Sequence, residues 1–318
     1  MFKRNQGQIE FADQWFASGT INQMLESLNN LINWEPIRSR LATVYAPHKN
    51  GGRPGFDPVM LLKLLLLEAW YDLSDGRVLE EASDRLSFRR FLGMGVADVL
   101  PDDTTLVRFR VRLLEHDDLL SEVLDYVNAC IQRHGFSLNT GKIIDATLVK
   151  AHTRPHQDGS EKEIEPEADK TVKNGQPHHG YKVHMATDAE TNVITDVEVT
   201  PASHHDTAVF EQFLTGEEPA VYADKAYEGD KRRRILKESG TKDCIMRRAA
   251  RGHPLSERAK AVNRMISKIR GRIERKIGEL KLWHGFSRMR YIGLARSKIQ
   301  TFLVAIVVNL KFLVTRSA

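Results

Sequence analysis

The sequence predicts a helical N-terminal part followed by an α/β domain, a mixed sheet with helices covering it. Three observations carry this. Apolar residues recur at helical spacing up to about residue 135, short β-type runs begin near residue 138, and helix then alternates with strand. With 318 residues, 41% of them apolar, the chain is long enough for two domains. We place them at 1–135 and 136–318.

In the first part, "INQMLESLNNLI", Pro58 to Tyr71 and "GRVLEEASDRLSFRRFL" read as helices, separated by the loops "HKNGGRPGFDP" and "GMGVADVLPDD". Asp57 before Pro58 is an N-cap and first-turn pair. "DDTTLVRFRVRLLEH" also alternates with period two, but Asp103 offers a cap, so a helix presenting Arg108 and Arg112 is expected. In the second part "KIIDATLV", "YKVHMATD" and "NVITDVEVT" read as strands. A helix at "DTAVFEQFL" capped by Asp206, a strand "AVYAD", a helix at "DKRRRILKES", a strand "DCIMRR" and a long final helix follow. This makes five strands. Residues 153–178 between the first two are polar and nearly free of large apolar side chains, so a mobile loop is expected there.

The formal net charge of +5 conceals an asymmetry: residues 231–318 hold 24 Lys/Arg against 5 Asp/Glu. A basic end of this kind suggests a polyanion partner, although a charge run is commonly just a solvated helix face. Cys130 and Cys244 are too few for a disulfide framework, which fits a reducing compartment. The start, "MFKRNQGQIEF", lacks the apolar core of a signal peptide. "VMLLKLLLLEAW" is too short to span a bilayer, and "FLVAIVVNLKFLV" is interrupted by Asn309 and Lys311, so both read as buried helices.

On a helical wheel with Ile266 as origin, Ile269, Ile273, Ile277 and Leu280 share one apolar sector. Arg264, Lys268, Arg272, Arg275 and Glu279 fall opposite, and Glu274 lies at the stripe's edge with Arg270 and Lys281. Alone, Glu274 is an i,i+4 partner of Arg270, worth a few tenths of a kcal/mol. Two further acids stand out. Asp145 is a charge inside a run that should be central sheet, costly unless paired or bound to a metal. Asp224 follows the strand "AVYA", where open α/β sheets place their sites. Singly, a solvent-facing strand acid and a turn acid explain them better.

Together, an acid on the first strand, one at the end of the fourth and one on the terminal helix match a ribonuclease H-like core. "IIDATLVKAH", "GYKVHMATD", "VYADKAY", the set Arg270, Glu274 and Lys281, and "GFSRMRYIGLARSKIQTFLVAIVVNL" closely resemble DDE transposases of bacterial insertion sequences, in the insertion-sequence-five group. The resemblance runs from about residue 50 to 315. The wider superfamily often carries Tyr three residues before the Arg; here that position is Ser267, which removes any tyrosine role but leaves the acids untouched.

The resemblance implies a DNA transposase whose Asp145, Asp224 and Glu274 hold two Mg²⁺ ions, Mn²⁺ being able to substitute. Such an enzyme nicks DNA at the element end, and the freed 3′-hydroxyl attacks target DNA. Arg270 and Lys281 would hold phosphates near the cut, with Lys268, Arg272 and Arg275 on backbone elsewhere. His184 and Lys225 are candidate supports behind the acids, core packing being an equal reading of His184. The implied partner is double-stranded DNA, at terminal inverted repeats read by the helical part and at the target. A dimer in the DNA complex, no membrane and a cytoplasmic, nucleoid-associated location complete the expectation. Two other readings remain open: a metal-dependent nuclease lacking strand transfer, and a DNA-binding protein whose acids are only structural.

Among the histidines, His152 and His156 have a spacing that could bind zinc, completed by His178 and His179, but such short patterns match often by accident. Trp283 and Tyr291 read as core aromatics.

Overall fold

The computed structural model describes residues 20–44, 55–116, 118–153, 165–173, 175–249 and 252–317. They form two compact units, one of residues up to His134 together with those from Phe302 onward, the other Gly135–Thr301.

The first unit contains α1 (Thr20–Leu31), α2 (Glu35–Val44), α3 (Pro58–Tyr71), α4 (Asp75–Asp84), α5 (Leu86–Leu92), α6 (Asp103–Leu114) and α7 (Leu119–Arg133). Helix α3 is its axis. Every residue from Pro58 to Trp70 is buried, which is why its sequence is apolar all round rather than striped. Asp57 caps it by accepting from the Val59 amide at 3.0 Å, with Pro58 in the first turn. The two charges it buries are both answered. Glu68 pairs with Arg110 of α6 at 3.3 Å, and Lys63 donates to Asn29 Oδ1 at 2.7 Å and to the Phe91 carbonyl at 2.8 Å, between the Trp34 and Phe91 rings. The cap of α6 is Asp102, one residue before the expected Asp103.

The second unit carries β1 (Lys142–Lys150), β2 (Asp169–Lys173), β3 (Gln176–Asp188), β4 (Ile194–Pro201), β5 (Ala220–Ala223) and β6 (Lys242–Ile245). Strand order is β2-β3-β1-β5-β6, with β4 also on β3; β1 is antiparallel to β3 and parallel to β5. This mixed sheet with flanking helices is the ribonuclease H-like arrangement expected. Helix α8 (Asp230–Glu238) lies between β5 and β6, and α9 (Glu257–Trp283) and α10 (Leu294–Ser317) follow β6. One sheet face buries Ile144, Ala186, Phe210, Val221, Tyr227 and Ile245, and the other packs Ala220 and Cys244 against Ile266 of α9.

Four expectations are corrected. The sheet has six strands among the described residues, because part of the supposed loop 153–178 is a hairpin: β2 pairs with residues 176–180 at the start of β3. Residues 154–164 and 174, with His156 and the rest of that loop, lie outside the described residues. The segment "DTAVFEQFL" forms two short 3-10 turns, Asp206–Val209 and Glu211–Phe213, the first capped by His205 rather than Asp206. The single long final helix is two helices, α9 and α10. The last residues also leave the sheet domain: from Phe302 onward α10 belongs to the helical unit, where its nearly continuous apolar surface is buried and Asn309 Nδ2 donates to Asn128 Oδ1 at 2.8 Å. Helix α10 is long and apolar enough to cross a membrane, yet 72% of its most apolar window is buried in the protein.

Candidate active site

Strands β1 and β5 bring the first two acids side by side. Ile143 pairs with Tyr222, so Asp145 and Asp224, each two residues further on, leave the paired strands at the same height. Adjacent strands lie about 4.8 Å apart, and residues in parallel register project to the same face. Asp224 continues the extended backbone (φ −77°, ψ 170°) and caps the short turn Lys225–Tyr227 by accepting from the Ala226 amide. Beyond this point β1 runs on without β5 until Lys150 meets residues 287–289. The two acids therefore stand where one strand stops and its neighbour continues.

Helix α9 crosses the same face and supplies the third acid. Arg270 is buried, and its Nη2 donates to Asp145 Oδ2 at 2.8 Å while lying 3.9 Å from Glu274 Oε1. Asp145 Oδ1 accepts from the Ala146 amide at 2.8 Å, so both of its oxygens are fixed. Burial pushes the Asp145 carboxyl above the usual carboxylate range, and Asp224 adds to that; Arg270 and the Ala146 amide oppose it. The Asp145 side chain is 19% exposed and that of Glu274 62%. Two acids are therefore set in the sheet, and the third stands at the rim.

The donor chemistry suits a hard divalent cation. All three groups are carboxylates, two crowd together against burial, and a guanidinium already stands in as the cation on Asp145. Among the described residues, however, no three His, Cys, Asp or Glu side chains converge closely enough to hold an ion as they stand. Glu274 leans to Arg270 rather than to Asp145 and Asp224. To join them it must turn on its exposed side, and Arg270 must release Asp145.

Arg270 is thus in the buried stripe of α9, not at its edge as the wheel suggested. The stripe observed is Ile266, Arg270, Ile273, Lys276 and Leu280, with Ile269 and Ile277 only half-buried. The helix is turned so that Arg270 meets Asp145, and Ile269 and Ile277 flank the buried stripe. Two cations proposed for DNA are committed elsewhere. Lys281 Nζ donates to the Leu148 carbonyl of β1 at 3.0 Å, and Arg272 Nη1 donates to the carbonyls of Ala189 and Glu190 in the β3–β4 turn. Glu279, expected to be a solvated charge, pairs with buried Lys276 at 3.1 Å. Lys268, Arg275 and Arg264 are exposed on α9; on α6 Arg108 is exposed and Arg112 half-buried. Lys225 is exposed directly after Asp224.

His184 does not stand behind Asp145. It pairs with Ala146, whereas Asp145 pairs with Met185, so the imidazole is on the opposite face of the sheet. There it bonds the Thr200 hydroxyl at 3.0 Å, and burial first, then the Lys182 charge, pulls it down to about 4. Trp283 is 64% exposed rather than core, and Tyr291 is half-buried. His178 and His179 stand on β3, away from the acids in sequence and register. Two neighbours of the site escaped the sequence reading. Tyr227, fully buried three residues after Asp224, has its hydroxyl pushed well above the usual tyrosine range by burial, then by Asp145. Met246 Sδ, just past β6, takes the second Arg270 nitrogen at 3.7 Å. An aromatic at fixed distance from Asp224 in "DKAY" was the signal for the first; nothing local marks the second.

Comparison with known families places residues 137–310 in one described as "Transposase DDE domain", and residues 14–112 in one described as "Transposase domain (DUF772)". The first covers more than half of the chain. Among solved structures, the piggyBac transposase synaptic complex with hairpin DNA, determined by cryo-EM, is similar with a TM-score of 0.49 and 10% identity, over 93% of this chain and 74% of that one.

Proposed function

The chain belongs to the DDE-domain transposases, enzymes of DNA transposition, and from that membership we propose that Asp145, Asp224 and Glu274 are its catalytic carboxylates. The observation that supports this is that one Arg270 nitrogen holds Asp145 and lies 3.9 Å from Glu274, while Asp224 stands level with Asp145 on the next strand.

The family uses divalent metal ions, and in this chain Asp145, Asp224 and Glu274 would hold them, Mg²⁺ or Mn²⁺ being the ions such oxygen donors prefer. Bound there, they would supply the Lewis acidity that activates water or a 3′-hydroxyl and steadies the leaving oxygen. The protein's own part is positional. The Ala146 amide fixes one Asp145 oxygen and the Ala226 amide fixes Asp224, while the Arg270 guanidinium holds the other Asp145 oxygen until exposed Glu274 closes on the two aspartates with the metal between them. Arg270, set free by that closure, keeps its planar fork for a phosphate beside the cut. In hydrolysis, water adds to phosphorus as the 3′-oxygen leaves with a proton. In transfer that 3′-hydroxyl attacks a target phosphodiester, and one phosphodiester bond is exchanged for another.

The helical unit is the natural reader of terminal inverted repeats, with Arg108 exposed on α6. Bringing two ends together calls for at least a transient dimer, and acting on a chromosome calls for a cytoplasmic, nucleoid-associated protein. The finer placement in the insertion-sequence-five group rests on the sequence resemblance.

The test is cleavage of a plasmid carrying the element's boundaries, with a second DNA present to capture joined ends. Asp145→Asn, Asp224→Asn and Glu274→Gln should each keep DNA binding and lose metal-dependent cleavage about a hundredfold or more, the equivalent of a few kcal/mol of metal-borne stabilisation. Cleavage that survives in Asp145→Asn overturns the assignment.

A further inference from the structure

Arg270 enters the candidate site from α9 and is poorly held there. Of its donors only Nη2 meets a carboxylate closely, Asp145 Oδ2 at 2.8 Å, with Glu274 Oε1 3.9 Å off. Nη1 has the Met246 thioether at 3.7 Å, a weak acceptor, and the buried Nε has no hydrogen-bond partner in the structure. A guanidinium withdrawn from water normally has its donors answered, because each one left bare costs free energy. Arg270 is therefore there for its charge: it answers Asp145, beside Asp224 on the next strand.

A divalent cation would do the same, and the two cannot do it together. A Mg²⁺–oxygen bond is about 2.1 Å, so an ion on Asp145 Oδ2 would stand against the guanidinium, like charges at contact where little water screens them. Occupancy of that oxygen is exclusive. Whatever removes Arg270 must offer it more than Asp145 does, and a phosphodiester qualifies: two oxygens for its planar fork, against the single carboxylate oxygen it holds now. The same movement takes Arg270 away from Glu274, so one displacement frees both carboxylates.

We propose that Arg270 is a built-in competitor of the metal: it occupies Asp145 while the protein is free of DNA, and a DNA phosphate that draws it away admits the ion and releases Glu274. This role rests on Asp145 and Glu274 being metal ligands. Its consequence is a protein that loads its ions on DNA and not before. By linkage, the metal must then strengthen DNA binding by the same factor by which DNA strengthens metal binding.

The test is Mn²⁺ binding to the full chain, read from the loss of the free ion's electron paramagnetic signal. It is measured with and without a duplex already cut at the element's boundary, so that no cleavage intervenes, and uptake by the duplex alone is subtracted. For the unaltered protein the duplex should tighten Mn²⁺ binding about tenfold or more, the size of an ordinary coupling. Arg270→Gln, checked for folding by its melting temperature, should bind Mn²⁺ without DNA about tenfold more tightly than the unaltered protein and gain little from the duplex. Equal affinity of the unaltered protein with and without duplex overturns the proposal, whether or not Arg270→Gln folds. So does an equal duplex effect in Arg270→Gln, which would be the field of the DNA alone. Adding Asp145→Asn to Arg270→Gln tells this apart from the carboxylate assignment: a tight site that persists there sinks the assignment itself. If Asp145→Asn alone removes Mn²⁺ binding while Arg270→Gln leaves the affinity as it was, the carboxylates stand and the competitor role falls.

Discussion

At the scale of single residues the decisive contact is Arg270 to Asp145. A carboxylate in a sheet is costly when ionised, and the guanidinium opposes the upward push that burial gives Asp145. Asp145 sits above its ordinary value, so the folded protein holds that proton longer than the unfolded chain. The associated stability is fully present below the ordinary carboxylate value and is lost as pH rises through the raised one. Activity has the opposite need, because a ligand carboxylate must be ionised. Arg270→Gln should therefore lift the Asp145 value further and move the acid limb of the cleavage–pH profile to higher pH, whereas Arg270→Lys should move it less. An acid limb unchanged in Arg270→Gln would show that Asp145 does not set it. Asp145 itself was legible, as a charge inside an apolar run. The burial of Arg270 was not, because a wheel fixes angles between residues of one helix and leaves free the angle at which that helix meets a sheet.

At the scale of elements, β1 and β3 leave no room for a side chain at Gly180. A Cβ there would lie 2.2 Å from the Val149 carbonyl oxygen and 2.6 Å from the Ala151 amide. Gly180 also pairs with both Lys150 and Asp169, so it is the crossing point of sheet and hairpin. Gly180→Ala should cost about 1–3 kcal/mol in urea or thermal unfolding and loosen the hairpin, while an unchanged midpoint would mean that the two strands part freely. The hairpin was readable in principle. Paired Lys173 and Gln176 flank the dipeptide Asn174-Gly175, the strongest short hairpin signal, with Gly175 at φ 73°. Its polar strands hid it, since an edge hairpin buries little and so shows no apolar alternation.

At the scale of the whole molecule, the unit boundary falls inside α10, which begins among the residues of the sheet unit and ends among those of the helical one. Most of the apolar run from Leu303 to Val314 is buried there, including Val304, Ala305, Ile306, Val307 and Leu310, with Lys311 and Phe312 half-buried. Ending the chain at Thr301 should strip that core and lower the melting temperature of the helical unit while the sheet unit, separately expressed as residues 135–301, melts as before. Equal melting of the helical unit with and without residues 302–317 would contradict the division. The sequence marked this segment as a buried helix but gave it to the nearer domain, because apolarity tells that a surface is covered and is silent on what covers it.

The division into a helical part and a sheet part, five of the six described strands, the capped start of α3 and the basic C-terminal third were determined by the sequence alone, because periodicity, caps and charge are local. Only the tertiary structure decided the turn of α9 that buries Arg270, the commitment of Lys281 and Arg272 to backbone carbonyls, the placement of His184 on the far face and the outward stance of Glu274. The first three depend on partners from 16 to 133 positions away, chosen by packing, and the stance of Glu274 follows from the turn of the helix that carries it.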